Sequence, residues 1–323
     1  MADTKSRVAK RKTKKRNKWT IWFLLLFIIV GGIGSYVFFL VHKAEDIVSS
    51  SYEDDGRDQS ALRSDKVDPN IDDVSILFIG VDESEKRNNE SNGRSDALIL
   101  ATLNKDEKSV KLLSIPRDTY VFIPEVGYES KINHAHAWGG PKATMETVEN
   151  LLDIPVDYFV KINFDAFVGV VDTLGGIEVE VPYEISEQDS RDKADAIHLM
   201  PGKQVLNGEE ALALARTRKQ DNDIERGKRQ QEIMKAMMDK AASFQTVLKV
   251  DGLMTAVGEN MTTNMTFDEM KSFVSYGITG DINIETYTLE GTDVWGESYY
   301  YQLDPADVEE KKALLQSHLN FNP

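Results

Sequence analysis

Residues 216–231, RTRKQDNDIERGKRQQ, place six basic side chains in sixteen positions of a chain whose formal net charge is −16. Arginine suits bidentate contact with phosphate oxygens, and a helix N-terminus adds its own preference for anions. Wound as a helix, Glu225, Lys228, Glu232, Lys235 and Asp239 share one narrow stripe, which reads as a solvated face. Ile233, Met234, Met237 and Ala241 fall opposite it. Arg226 and Gln230 lie on that same inward side, with Arg229 at the flank. A single inward arginine serves equally well as a structural ion pair. Arg216 and Arg218 precede the helix by one short loop, however, and four arginines at one end repel unless they share a multivalent anion. Phosphate is the better reading, with Asp223 as the helix cap and Asp221 in the turn before it.

Two acids stand at expected strand ends: Asp82 in FIGVDESE and Asp96 in GRSDALIL. Neighbouring strands could bring both to one hard cation, with Mg²⁺ the usual choice for phosphate chemistry. An Asp at a strand end is more often a turn or cap residue, so this pair alone is a weak signal. Arg94 sits two residues before Asp96, and Arg117 follows the next strand in SIPRDTY. Strand ends are where α/β folds place their sites. Asp118 reads as a partner for an arginine or as a loop-orienting residue. His134 and His136 in KINHAHAWGG alternate as on a strand or extended loop. With no cysteine and no H-x-x-x-H spacing, zinc does not fit. The chain has no G-x-S-x-G, Walker or G-x-G-x-x-G motif, which disfavours a nucleophilic Ser-His-Asp enzyme.

The elements that must hold these residues alternate. Strands are expected at 74–80, 96–104, 109–115, 119–124, 158–163, 177–182, 282–289 and 298–303. The pair 96–104 and 109–115 forms a hairpin, and 119–124 extends the same sheet until Pro124 stops it. Helices are expected at 140–153, 164–176, 208–216, from Asp223 to about Leu248, 267–278 and 305–319. Interleaving of this kind indicates an α/β fold, an α-β-α sandwich with a mixed central sheet flanked by helices. Residues 73–323 make one sizeable domain.

Upstream, residues 1–18 carry nine Lys or Arg against Asp3 alone, and residues 19–42 run without a formal charge. That run is long enough for a single transmembrane helix, which needs about 20 apolar residues. It is too long for the core of a cleaved signal peptide. A basic head before one span keeps the N-terminus cytoplasmic and sends the rest outside, as a single-pass type II protein of the cell membrane. Residues 43–72, polar and without an apolar stripe, read as an extracellular stalk. Beyond residue 18 there are 29 basic and 53 acidic residues, a net of −24. So acidic an exterior domain is no nucleic-acid binder.

LFIGVDESE, GRSDALIL, SIPRDTYVFIP, KINHAHAWGG, VDTLGGIEVEVP, LNGEEALALARTR and ERGKRQQ, in this order, resemble the LytR-CpsA-Psr family of Gram-positive bacteria. The resemblance spans about residues 73–323. It implies a membrane-anchored phosphotransferase that moves a glycopolymer, of teichoic acid or capsule type, from an undecaprenyl-pyrophosphate carrier to peptidoglycan. It implies that Asp82 and Asp96 hold Mg²⁺, and that Arg94, Arg117, Arg216, Arg218, Arg226, Arg229 and Gln230 surround the pyrophosphate. Of these, Arg94, Asp96, Arg117, Arg216, Arg218 and Arg226 carry the catalytic assignment. An apolar tunnel for the polyprenyl chain is implied too, walled by Phe164, Phe167, Val168, Val171, Met234, Met237 and Met238. Plain core packing is the competing reading for each of those. His136 departs from the family, which more often has Tyr there. Two other functions compete: a non-catalytic binder of lipid-linked polymer, and a lipid-pyrophosphate hydrolase.

Overall fold

The computed structural model describes residues 39, 41–82, 93–217, 223–241, 252, 255, 256, 258, 260–278, 282–296 and 298–322. Ala44–Pro323 form one compact unit. The expected span, 19–42, lies outside the described residues except for Phe39, Val41 and His42. Among the described residues no helix is long and apolar enough to cross a membrane.

The strands are β1 (Val74–Val81), β2 (Ser95–Asn104), β3 (Ser109–Ser114), β4 (Tyr120–Ile123), β5 (Tyr128–Lys131), β6 (Tyr158–Asn163) and β7 (Ile177–Val181). They continue with β8 (Ile185–Glu187), β9 (Ile197–Leu199), β10 (Gly202–Leu206), β11 (Met261–Thr263), β12 (Asn283–Thr288), β13 (Gly291–Trp295) and β14 (Tyr299–Leu303). The helices used below are α1 (Asn133–Leu152), α2 (Phe164–Leu174), α3 (Gly208–Arg216), α4 (Asp223–Ala241), α5 (Phe267–Ile278) and α6 (Pro305–His318).

A six-stranded sheet in the order β11-β6-β1-β2-β3-β12 forms the centre. It is mixed: β1 runs antiparallel to β2 and parallel to β6, while β3 runs antiparallel to β2 and parallel to β12. Both faces are covered, so β1 and β2 read as nearly continuous apolar runs. On one face Leu77, Ile79, Leu98, Leu100 and Leu113 pack with Met145 and Val148 of α1 and Leu315 of α6. On the other, Ile76, Ile99, Ala101 and Leu112 meet Met234 and Met238 of α4 and Met270 and Phe273 of α5. A third cluster joins α2, α3, β7 and β10 to Ile233 and Met237 of α4. Helix α4 is therefore sandwiched, with one edge on the sheet and the other on this outer layer.

Three expectations are corrected. The strand at 119–124 does not extend the central sheet: among the described residues β4 pairs with β5, as a separate ribbon. Likewise β7 pairs with β10, and β14 with β13. The histidines of KINHAHAWGG are helical, because α1 begins at Asn133 and passes through a kink at Gly139–Gly140. Gly139 and Gly140 have non-helical backbone, so two helices meet at this kink, and the start read at residue 140 is that of the second. Residues 44–72, polar enough to suggest a stalk, belong to the same compact unit. Arg57 reaches Glu149 at 3.2 Å, and Arg63 grips Asp157 with a two-pronged pair at 3.0 and 2.8 Å.

Candidate active site

Because β1, β3, β6 and β12 share one direction, their carboxyl ends lie along one edge of the sheet. The start of the antiparallel β2 lies there as well. That edge carries Asp82 after β1, Arg94 and Asp96 around the start of β2, Arg117 after β3, and Phe164 after β6. The register shows how Asp96 is aimed. Gly80 pairs with Ala97 and Val81 pairs with Ser95, so Asp96 is an extra residue, a bulge in β2. A bulge re-aims one side chain out of the pleat, and such bulges concentrate beside active sites. Gly80 faces the bulge closely, since a Cβ there would stand 3.2 Å from that of Ala97.

Arg117 Nη1 donates to Asp96 Oδ1, and its Nε donates to Asp118 at 3.4 Å. Asp118 is buried and also accepts from Lys131 Nζ at 2.8 Å. The loop bearing Arg117 is pinned on both sides. Asn133 N–H donates to the Arg117 carbonyl at 3.2 Å, and Tyr301 N–H donates to that of Asp118 at 2.9 Å. The result is a chain of alternating charge, Lys131–Asp118–Arg117–Asp96, with the last pair partly open to solvent.

The first turn of α1 closes the other side. His136 Nδ1 meets the Gly93 carbonyl at 2.6 Å, fixing the backbone beside the exposed Arg94. His134 bonds Ser130 Oγ at 2.9 Å. Burial, then the charges of Arg94 and Lys131, hold its ring below the usual imidazole range. These two histidines hold the edge in place.

Helix α4 delivers the buried arginines. Its solvated stripe is as expected, with Glu225, Lys228, Glu232, Lys235 and Asp239 all exposed. Arg226 is 5% exposed and Ile233 2%. Ala241, expected inward, is exposed. Gly227 brings α4 onto the sheet: a Cβ there would meet Ser114 Oγ, at the end of β3, at 2.6 Å. Arg226 is thereby held beside the carboxyl edge. One turn later Gln231, buried, donates to the carbonyls of Leu112 on β3 and Tyr287 on β12. The glycine inside a helical pattern was the legible sign of close approach. Gln231 gave no sign.

Arg216 ends α3 with its guanidinium 4.6 Å from the Phe164 ring centre, which brings it to the end of β6. Arg229, expected at the flank, is as buried as Arg226 at 5%. It donates to the carbonyls of Leu214 at 3.1 Å and Thr217 at 2.6 Å. Gln230 donates to the Ala215 carbonyl at 3.2 Å. Both side chains thus hold the carboxyl end of α3, where the helix dipole welcomes a cation, and so they set the position of Arg216. Arg218 and Asp221 lie outside the described residues; α4 begins at Asp223. Of the expected tunnel walls, Val171 is fully buried in the outer-layer core. Phe164, Phe167, Val168, Met234, Met237 and Met238 are half-buried.

Asp82 and Asp96 are two hard carboxylates on adjacent strands of this edge. No group of three or more His, Cys, Asp or Glu suited to a metal occurs among the described residues. That donor set fits Mg²⁺, which binds through one or two carboxylates and takes its remaining ligands from water and substrate phosphates.

The relatives of this chain share both its sequence and its shape. TagT of Bacillus subtilis strain 168, named polyisoprenyl-teichoic acid–peptidoglycan teichoic acid transferase, is 38% identical over 318 residues, covering 96% of this chain and 97% of its own. A solved structure of TagT bound to LI-WTA superposes with a TM-score of 0.70 at 39% identity, covering 82% of this chain and 97% of that one. A LytR-CPS2A-psr family protein with bound octaprenyl pyrophosphate lipid does so with a TM-score of 0.66 at 37% identity, covering 82% and 97%. The family model matches residues 37–317, and the chain belongs to the LytR_cpsA_psr family.

Proposed function

We propose that this edge is the active site of a membrane-anchored phosphotransferase. The reaction moves an anionic glycopolymer from a polyprenyl-pyrophosphate carrier to a hydroxyl of peptidoglycan. The observation that carries the reading is the bulged Asp96 paired with Arg117, on the edge where Gly227, the neighbour of the buried Arg226, meets Ser114. A buried arginine near a site of developing phosphoryl charge stabilises it without reorganisation. The relatives named as teichoic acid transferases support the substrate class.

In this reading the acceptor oxygen attacks the polymer-side phosphorus as the bond to the bridging oxygen breaks, and polyprenyl phosphate leaves. Arg117 and Arg226 bind the phosphoryl oxygens, and Arg94 and Arg216 hold the pyrophosphate from either side. Asp96 takes up or orients the proton of the incoming hydroxyl. Asp82 and Asp96 would hold Mg²⁺, which when bound neutralises phosphate charge. The half-buried apolar residues of α2 and α4 line the path for the polyprenyl chain. Residues 19–42 anchor the protein, with its N-terminus in the cytoplasm and this domain outside.

The test uses the full chain in detergent or nanodiscs with a polyprenyl-pyrophosphate glycan, Mg²⁺ and soluble peptidoglycan. Asp96→Asn and Arg117→Ala should each lower transfer by about 10²–10³-fold, with the melting temperature little changed. Free glycan phosphate without adduct from the wild type would make the protein a hydrolase. Tight donor binding with no turnover would make it a binding protein.

A further inference from the structure

The carboxyl edge carries more than the charged residues. From it rise two ribbons that the central sheet does not use. The ribbon β13–β14 follows directly from the end of β12, and β4–β5 follows the Arg117 loop. They are joined by a bridge between Thr119 and Tyr301. Their rings form a row: Trp295 lies 4.9 Å from Tyr299, and Tyr300 lies 4.8 Å from Tyr120. Lys131 links the two pairs, its Nζ 5.5 Å from the Tyr299 ring centre and 5.6 Å from that of Tyr300. At the far end Trp295 is 79% exposed, an uncommon exposure for so large an apolar side chain.

We infer that this row is the platform on which the acceptor glycan strand lies. The inference rests on the phosphotransferase reading for the word acceptor, but its chemistry stands on the row itself. The exposed Trp295 ring presents an apolar face to the C–H face of a pyranose sugar, with Tyr299 tilted against it at 49° and Tyr120 and Tyr300 meeting edge to face at 71°. Hydrogen-bonding groups flank them: the Tyr299 hydroxyl is held by Asp293 at 2.8 Å, and Asp293 is itself exposed. Continuity with the site is direct, because Lys131 also bonds Asp118, which bonds Arg117, which pairs with Asp96. A strand laid along the rings therefore has one end at the carboxylate that receives the hydroxyl. Charge argues against the other occupant of an exposed aromatic patch, an anionic lipid surface. The chain beyond residue 18 carries a net of −24, and Asp293 stands within the patch.

The experiment measures, by isothermal titration calorimetry, binding of a β-1,4-linked N-acetylglucosamine tetrasaccharide to the full chain in neutral detergent. A saturable isotherm is expected. Trp295→Ala should weaken binding about tenfold, the effect of losing one central aromatic anchor, and Trp295→Phe should restore most of it. In the transfer assay Trp295→Ala should raise the acceptor KM about tenfold and leave the donor KM unmoved. No response of the wild type, or equal binding by Trp295→Ala, overturns the proposal. A response to phosphatidylglycerol vesicles and none to the oligosaccharide overturns it too, and makes the row a membrane contact. Oligosaccharide binding lost in Trp295→Ala upholds the platform even if no transfer occurs, in which case the phosphotransferase reading alone fails.

Discussion

Asp96 and Arg117 hold one another at the mouth of the site, and each is committed to a second role once phosphate arrives. Arg117 is kept extended by Asp118, whose other oxygen is tied to Lys131. Removing Lys131 takes one of the cations away from Asp118, so Lys131→Met should hold Arg117 more tightly on Asp118. We expect transfer to fall about tenfold through kcat with donor KM little changed, read from initial rates over a donor series; the size follows the cost of misplacing one positioning group. Arg226 and Arg229 show how far the sequence reached at this scale. Both are buried, but Arg229 spends donors on the Leu214 and Thr217 carbonyls. Helix angle separates buried from exposed positions; it carries no information on which carbonyls from another helix stand opposite.

At the scale of elements, one close approach is that of α4 to β3. Gly227→Ala would drive a methyl toward Ser114 Oγ, where only 2.6 Å is available. It should cost about 1–3 kcal/mol, the usual penalty for overpacking, and displace Arg226 from the edge. Ser114→Ala removes the offending oxygen and leaves the Ser114 Cβ position at an ordinary 3.5 Å. The double variant should therefore recover most of the stability and activity, measured as a double-mutant cycle. The far edge of the sheet supplies a pH test. His318, buried at the end of α6, bonds Thr102 at 2.7 Å and Ser109 at 2.8 Å. Burial, then the charge of Lys111, keeps its ring below the usual imidazole range. The unfolded chain takes up this proton as pH falls through about 6.5 while the folded chain does not. Stability is therefore lost from neutral toward acidic pH. His318→Gln should flatten the fall in melting temperature between pH 7.5 and 5.5. An unchanged slope would contradict this.

Strands β1, β2, β3, β6 and β12 were legible as apolar or alternating runs bounded by turn residues, and α2 and α3 by their caps and amphipathic pattern. The ribbon β4–β5 was not, since an alternating strand looks the same whichever sheet takes it. The bulge at Asp96 was equally invisible: it exists only in the register between two strands.

For the whole molecule, the polar stretch before the domain is part of its structure. Arg57 lies among Asp55, Glu149 and the Val156 carbonyl, and burial raises the Glu149 carboxyl above its usual range. Arg57→Ala should destabilise the domain by about 3–5 kcal/mol, because it strands a buried acid. A thermal melt checks this. Long-range ion pairs of this kind leave no periodic mark, which is why residues 44–72 read as a stalk. The order of the motifs along some 250 residues, by contrast, was enough to expect the family and the charged edge. What they could not show was the aromatic row, assembled from two ribbons far apart in sequence. The claim that this edge transfers a phosphoryl-linked polymer is tested most directly with a donor carrying ³²P only in the polymer-side phosphate. With the wild-type full chain and soluble peptidoglycan, the label should appear in a phosphodiester linking polymer to acceptor, and the released polyprenyl phosphate should be unlabelled. Label in free glycan phosphate, or on the polyprenyl product, would contradict it.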